Sequence, residues 1–431
     1  MHLAHRSYVL VMLAAVLAVL GIWSDERDFA YLWRIPVLLL LLGLAIEATL
    51  VRRMRPQVRL ATAARAFLGR PQRARFEFAN TSARVLSLEY APVMPAGVES
   101  EAGVRRISIA PRRTCADEVI LLPVNLGVQR WPALPARILG SLALAWWSAP
   151  LQLRAALQVA PEILRAGARV RGMAGGARTR RVAGAGQELL QLRGYVRGDP
   201  LARVDWKATA RSRAIVTREY SEDQHLDIFV AIDAGRLSRV RDGSLDRVGI
   251  YSNVTASFAE LVTHNDDRIG LVVYADQVLA SCAPARGLPA VTQVRRTLEN
   301  LALRPAESDP TAAAVSIRRL LRQRALVVIL TDLDDANVSA ALLRAVRLLA
   351  PPHLVMVAGV HSGEVTALVH TEAREWQDPW IALAASEHEK RALTQRALLR
   401  RRGVEVVAAS ASGLQAALFE RYEVLRRARR V

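Results

Sequence analysis

Hydrophobic positions change their rhythm along this chain, and each rhythm predicts a different architecture. Near the start two stretches are apolar almost without interruption, YVLVMLAAVLAVLGIW (Tyr8–Trp23) and IPVLLLLLGLAIEATLV (Ile35–Val51). Each approaches the ~20 residues that a helix needs to cross a bilayer, with a lower limit of about 17. A signal peptide would show an Ala-x-Ala-like cleavage site after the first run. None is present, and a second apolar run follows closely, so the pair predicts a transmembrane hairpin over residues 1–55. Glu47 lies near the end of the second run. At the inner interface a carboxylate there would cost little.

Between Pro56 and about Pro161 the apolar positions alternate in short runs: RARFEF, RVLSLEY, RRISIA, EVILLPV, SLALAWW and LQLRAALQVAP. Asn80, the stretch Pro95–Gly97 and Pro111 separate some of them. Alternation broken by turn residues predicts a small β-sandwich over residues 56–162, with Trp146 and Trp147 at its core and rim. Gly, Ala and Arg dominate residues 163–190 with no apolar period, which reads as a linker.

Beyond Leu226 the runs LDIFVAID, RIGLVVYA, ALVVILTDL, HLVMVAGV and VEVVAAS are continuously apolar. Helical patterns lie between them: about Asp246–His264, LPAVTQVRRTLENL, DPTAAAVSIRRLLRQR, NVSAALLRAVRLLA, SEHEKRALTQRALLRRRG and about Leu414–Arg430. Asp309 suits the N-cap of one of them. Strands apolar on both faces and joined by helices predict a doubly wound, mostly parallel sheet, so that residues 191–431 form an α/β unit. Ligands of such sheets bind at the carboxyl ends of the strands. Asp233 and Asp332 close two strands, Asp334 and Asp335 follow, and Thr311 opens a helix between them. Oxygen ligands gathered there suit a hard cation such as Mg²⁺.

Charge changes this picture less than its size suggests. The net charge is +19, a balance that fits nucleic acid, anionic lipid or an acidic protein. Yet of 59 basic residues only Lys207 and Lys390 are lysine, a skew that marks compositional bias rather than selected phosphate contacts. We therefore set nucleic acid aside and read the linker's arginines as a solvated connector near membrane lipid. Arg6 precedes the first span, RRMRPQVR follows the second, and the loop SDERDFAYLWR is mixed in sign. The positive-inside rule then places both ends, and the bulk of the chain, on the cytoplasmic side of an inner membrane. Trp23, Tyr31 and Trp33 would form an aromatic belt on the outer side. Cys115 and Cys282 are the only cysteines. Neither stands at metal-ligand spacing, which argues against a zinc site, and the pair fits a reducing compartment.

One stretch follows no period: LRGYVRGDPLARVDWKATARSRAIVTREYSED, Leu192–Asp223. Its interleaved arginines and carboxylates read as an ion-pair network that fixes the chain's entry to the sheet. Arg197, Asp205 and Arg211 are the expected buried members, with Trp206 as an apolar anchor. Lysine and arginine are not interchangeable, so Lys207 is the expected contact for a partner. No nucleophile–base pair, P-loop or Ser-His-Asp arrangement is visible, and an enzyme is not expected. A hydrolase using Asp205, Lys207 and the strand-end acids is the weakest reading.

Arg193, Tyr195, Gly198, Asp199, Arg203, Asp205, Trp206, Lys207, Ala210, Arg211, Arg218 and Glu219 together resemble the signature of the domain of unknown function 58 family. The resemblance implies two N-terminal membrane helices, a β-sandwich and a von Willebrand factor A-like α/β domain across essentially the whole chain. It also implies pairing with MoxR-type AAA+ ATPases and a chaperone-like or assembly role. The metal-ion-dependent adhesion motif of such domains is Asp-x-Ser-x-Ser with a distal Thr and a distal Asp. Here DAGRL keeps Asp233, but Gly235 and Leu237 replace both serines, while Thr311 and Asp332 match. Two hydroxyl ligands are lost, so the expected site is degenerate and Mg²⁺ binds weakly or not at all. The expected function is a membrane-anchored cytoplasmic scaffold or adaptor. It binds protein partners, with a MoxR-type ATPase among them, in assembly or activation of a client complex. The alternative is a metal-dependent, adhesion-type ligand-binding module.

Overall fold

The computed structural model describes residues 2–23, 31–101, 103–162, 182–184, 188–222, 225–301, 303, 305–333 and 336–428. They form two compact units, one built mainly from Met1–Glu162 and the other from Ile163–Thr297 and Leu301–Val431. Most of the expected linker, and Asp334 and Asp335, lie outside the described residues.

The first unit opens with two apolar helices, His5–Trp23 and Arg34–Arg53. Unbroken Leu, Ala, Val and Ile give them length, and at 1.5 Å per residue each spans about 30 Å. Both are long and apolar enough to cross a membrane. Met12, Ile22, Leu38 and Leu41 are among the many apolar side chains they leave exposed.

Alternation builds the rest of this unit. The strand Gln72–Ala79 buries Ala74, Phe76 and Phe78 on one face. It lies in a four-stranded sheet between Gln57–Ala61 and Thr114–Pro123, with Val98–Glu99 beyond the latter. A five-stranded sheet runs in the order His2–Leu3, Ala145–Ser148, Ala136–Leu139, Leu86–Tyr90 and Arg105–Ile109. The Phe78 and Tyr90 rings meet across the two sheets with centroids 4.7 Å apart. The run SLALAWW is only partly strand, because residues 140–144 turn before Ala145.

That turn holds Glu47, which the sequence placed near the inner interface at little cost; the structure instead surrounds it with protein. Glu47 is fully buried. Its Oε1 accepts the amides of Leu142 (2.8 Å) and Leu144 (3.0 Å); its Oε2 accepts the amide of Ala145 (3.1 Å) and the indole N–H of Trp147 (3.2 Å). Gly140 makes room, since a Cβ there would overlap the carboxyl group. The same turn grips the first helix: Leu144 O accepts the Ala4 amide (2.7 Å) and the Ser7 hydroxyl. Both helix ends are thus tied to one turn of the β region.

The second unit carries a six-stranded sheet of β1 (Asp227–Asp233), β2 (Arg268–Tyr274), β3 (Val278–Ala285), β4 (Ala325–Leu330), β5 (Leu354–Val360) and β6 (Glu405–Ala409). The spatial order is β3-β2-β1-β4-β5-β6, parallel except for β3. The chain leaves β1 toward one edge and returns on its other side at β4. Phe229, Ala231, Val272, Val327 and Val357 pack with the helices Pro310–Leu320 and Ala336–Leu349. Their neighbours Ile228, Val230 and Ile232 point the other way by the period of a strand and are equally buried. The helices Arg247–His264 and Leu414–Arg427 pair through Phe258, Phe419 and Tyr422. The edge strand β3 and the helix Gly363–His370 are additions to the expected elements. The helix Asp378–Arg401 begins well before Ser386, where its pattern becomes regular.

Glu47→Leu leaves four donors without an acceptor, two of them in buried bonds, and a loss of about 2–4 kcal/mol is expected. Glu47→Gln, which keeps one oxygen, should lose about half as much. Thermal melts of the full chain in detergent, with amide exchange at Leu142, Leu144 and Ala145, check this. Unchanged exchange at those amides would remove the turn's dependence on Glu47.

Candidate functional site

The aperiodic stretch forms a hairpin with a helical insert. Glu188–Gly194 pairs antiparallel with Val216–Glu222, which also carries Val182–Gly184 on its other edge. Between the long strands lie a short 3-10 turn, Leu201–Arg203, and the helix Trp206–Ser212. Arg193 grips Asp199 with two N–H···O bonds of 2.8 Å and reaches Glu219 at 3.3 Å. Asp199 also accepts the Val196 amide (3.0 Å), closing a turn in which Gly198 has φ +112°. Glycine alone takes that conformation cheaply. Tyr195 donates its amide to Ile215 O (2.8 Å), and Arg203 donates its amide to Pro200 O (2.9 Å).

Asp205 is the N-cap of the insert helix. Its Oδ1 accepts the amides of Lys207 and Ala208, and its Oδ2 accepts Arg218 Nε, all at 3.0 Å. The Arg193 guanidinium holds the Asp199 carboxyl below the usual range. The Ala208 amide, then Arg218, does the same for Asp205.

Two expectations fail here. The ion pairs are Arg193–Asp199–Glu219 and Asp205–Arg218, not a buried set of Arg197, Asp205 and Arg211. Arg197 and Arg211 are exposed. Trp206 is no anchor: its relative exposure is 67%. With Asp205 capping, residue 206 starts the helix on its outer side, and Val204 is the side chain that goes in. The hairpin therefore displays Leu192, Val196, Leu201, Trp206 and Ile215 to solvent, with Lys207, Arg211 and Arg213 also exposed.

At the carboxyl ends of β1 and β4 a second polar cluster is buried. Asp233 Oδ1 accepts the Gly235 amide (2.9 Å) and the Ser308 hydroxyl, and Oδ2 accepts the Thr331 hydroxyl (2.6 Å). Burial pushes the Asp233 carboxyl up. Asp332 is paired with Arg247, and both side chains are about 90% buried. Tyr251 donates its hydroxyl to Thr331 O (3.0 Å). Thr311 sits in the first turn of its helix and donates its amide to Asp309 (2.9 Å) rather than to either strand-end aspartate.

These residues do not fit a Mg²⁺ site. Positions 235 and 237 offer no hydroxyl. A Cβ on Gly235 would overlap the Ser308 hydroxyl, which occupies that space. Among the described residues no group of three His, Cys, Asp or Glu is placed to hold a metal ion. Ser308, Thr331 and Arg247 escaped sequence reasoning. Only Arg247 left a signal there, as a cation at the start of the long uncharged run VGIYSNVTASFA.

The depressed folded-state values of Asp199 and Asp205 set a pH dependence. Their stabilising contribution is complete above the ordinary aspartate pKa of about 3.9 and disappears as pH falls through the lower folded values. Amide NMR shifts of Val196, Lys207 and Ala208 should stay constant from about pH 7 to 5 and move only below about 4. Asp205→Ala should speed amide exchange at Lys207 and Ala208, whereas Lys207→Ala should leave it unchanged.

Comparison with known proteins places the hairpin and much of the α/β sheet in one match. Uncharacterized proteins of Mycobacterium tuberculosis and Mycobacterium bovis are 26% identical over 183 residues, which is 42% of this chain and 56% of theirs. The aligned part thus spans little more than half the length of those relatives. A conserved hypothetical protein, BatB, from Bacteroides thetaiotaomicron is 12% identical, with a TM-score of 0.31 over 47% of this chain and 99% of that one. Proximal thread matrix protein 1 from mussel byssus is 12% identical, with a TM-score of 0.30 over 45% of this chain and 46% of that one. The family model described as protein of unknown function DUF58 matches residues 191–368, a narrower span than the resemblance in the signature implied.

Proposed function

We propose that this protein is a membrane-anchored cytoplasmic scaffold whose hairpin at residues 188–222 is a docking surface for a protein partner. The carrying observation is the division of labour within the hairpin. Arg193, Asp199, Asp205, Arg218 and Glu219 satisfy one another and fix the fold. Trp206, Leu201 and Lys207 are left facing solvent. Exposed apolar residues beside exposed cations favour a partner with an acidic, apolar surface. The reading extends to a MoxR-type AAA+ ATPase as that partner and to assembly or activation of a client complex as the outcome. It takes the α/β unit as von Willebrand factor A-like and doubly wound, and the apolar helices as an inner-membrane hairpin. Arg52 and Arg53 end the second helix and favour the cytoplasmic side. The buried arrangement around Asp233 and Asp332 speaks against metal-dependent adhesion.

Trp206→Ala should weaken binding to the ATPase by ~30-fold, the ~2 kcal/mol of a hot-spot tryptophan. Lys207→Ala should weaken it by a smaller factor that shrinks as salt is added. Both variants should melt with the parent chain. Pull-down and titration against the ATPase check this, and full affinity in Trp206→Ala would end the docking role of the hairpin. A reporter active only outside the membrane, fused after Val431, should stay silent; activity there would overturn the cytoplasmic assignment.

A further inference from the structure

We infer that Arg247 supplies from within the chain the positive charge that a divalent ion would otherwise bring to the strand-end acids, so this end of the sheet is set without metal. The inference is independent of the hairpin's role as a docking surface. A carboxylate as buried as Asp332 needs a counter-charge, and the Arg247 guanidinium is in contact with it.

The helix that carries Arg247 is placed for this task. Asp246 caps it by accepting the Gly249 amide (2.7 Å), and the Arg247 amide donates to Val240 O (3.1 Å). One turn later, on the same helix face, Tyr251 donates to Thr331 O and accepts the Val360 amide (3.3 Å). Arg247 and Tyr251 together grip residues 331 and 332 at the end of β4.

Asp233 is settled by a different exchange. A carboxylate that holds a metal ion keeps oxygen lone pairs open toward it. Here the Asp233 oxygens that a metal ion would bind instead accept the Ser308 and Thr331 hydroxyls and the Gly235 amide. Gly235 and Ser308 form a matched pair: the glycine leaves the space and the serine fills it from another segment. Recognition at this edge of the sheet then does not run through a bridging cation, and a chelator leaves it unaffected.

The test uses the full chain in detergent, with MgCl₂ or EDTA as the probe. The parent protein should melt at the same temperature in both, and Mn²⁺ titrated in should stay free by electron paramagnetic resonance. Arg247→Met should melt several degrees lower in either condition, and Arg247→Lys should recover part of the loss. Gly235→Ser alone should destabilise, while Gly235→Ser with Ser308→Gly should recover most of it, because the two sites share one space. Should Arg247→Met fail to fold, the serine exchange and the chelator comparison still decide the matter. Three results would each overturn the inference: a rise of several degrees with Mg²⁺ that Asp233→Ala abolishes, an Arg247→Met variant that melts with the parent, or a double variant no better than Gly235→Ser.

Discussion

A carboxylate taken out of water must be given donors, and much of this structure is arranged to provide them. Glu47 draws in three amides and an indole. Asp233 draws in two hydroxyls and an amide. Asp332 draws in a guanidinium from the first residue of a largely buried helix. Apart from the Gly235 amide, the donors come from segments distant in sequence, so satisfying one acid fixes the relative place of several elements. Leaving any of them unsatisfied would cost as much as a substantial part of a domain's net stability.

The hairpin follows the same chemistry at the surface with a different result. Its acids are satisfied locally, by residues of the hairpin itself. Among the described residues of the hairpin, Val204 is the buried apolar side chain. Leu192, Val196, Leu201, Trp206 and Ile215 face outward.

What the sequence made legible was the part written in periods. Continuous apolar runs marked five of the six strands of the main sheet, and alternation marked the strands around Phe76, Leu88 and Ile107. Val278–Ala285 went unseen because Ala, Ser, Cys and Pro give it neither bulk nor alternation. Polar partnerships were less legible. Asp205 caps a helix as well as pairing with Arg218, and the cap decides that Trp206 faces out; a capping residue and an ion-pair partner look alike in one sequence. Ser308 and Arg247 could not be paired with Asp233 and Asp332 at all. Nothing in spacing reveals that a glycine at one site has been matched by a serine from another loop.

The turn around Glu47 also sets an order of events as the chain folds. Its amide donors lie 95 to 98 positions further along, and the Ser7 contact spans 137. The two apolar helices can pair locally and early, since helices need few distant contacts. The acid near the end of the second lacks these donors until residues 140–147 have been made and have turned. Completion of the helical pair therefore waits on closure of the β region, and the two finish as one cooperative step.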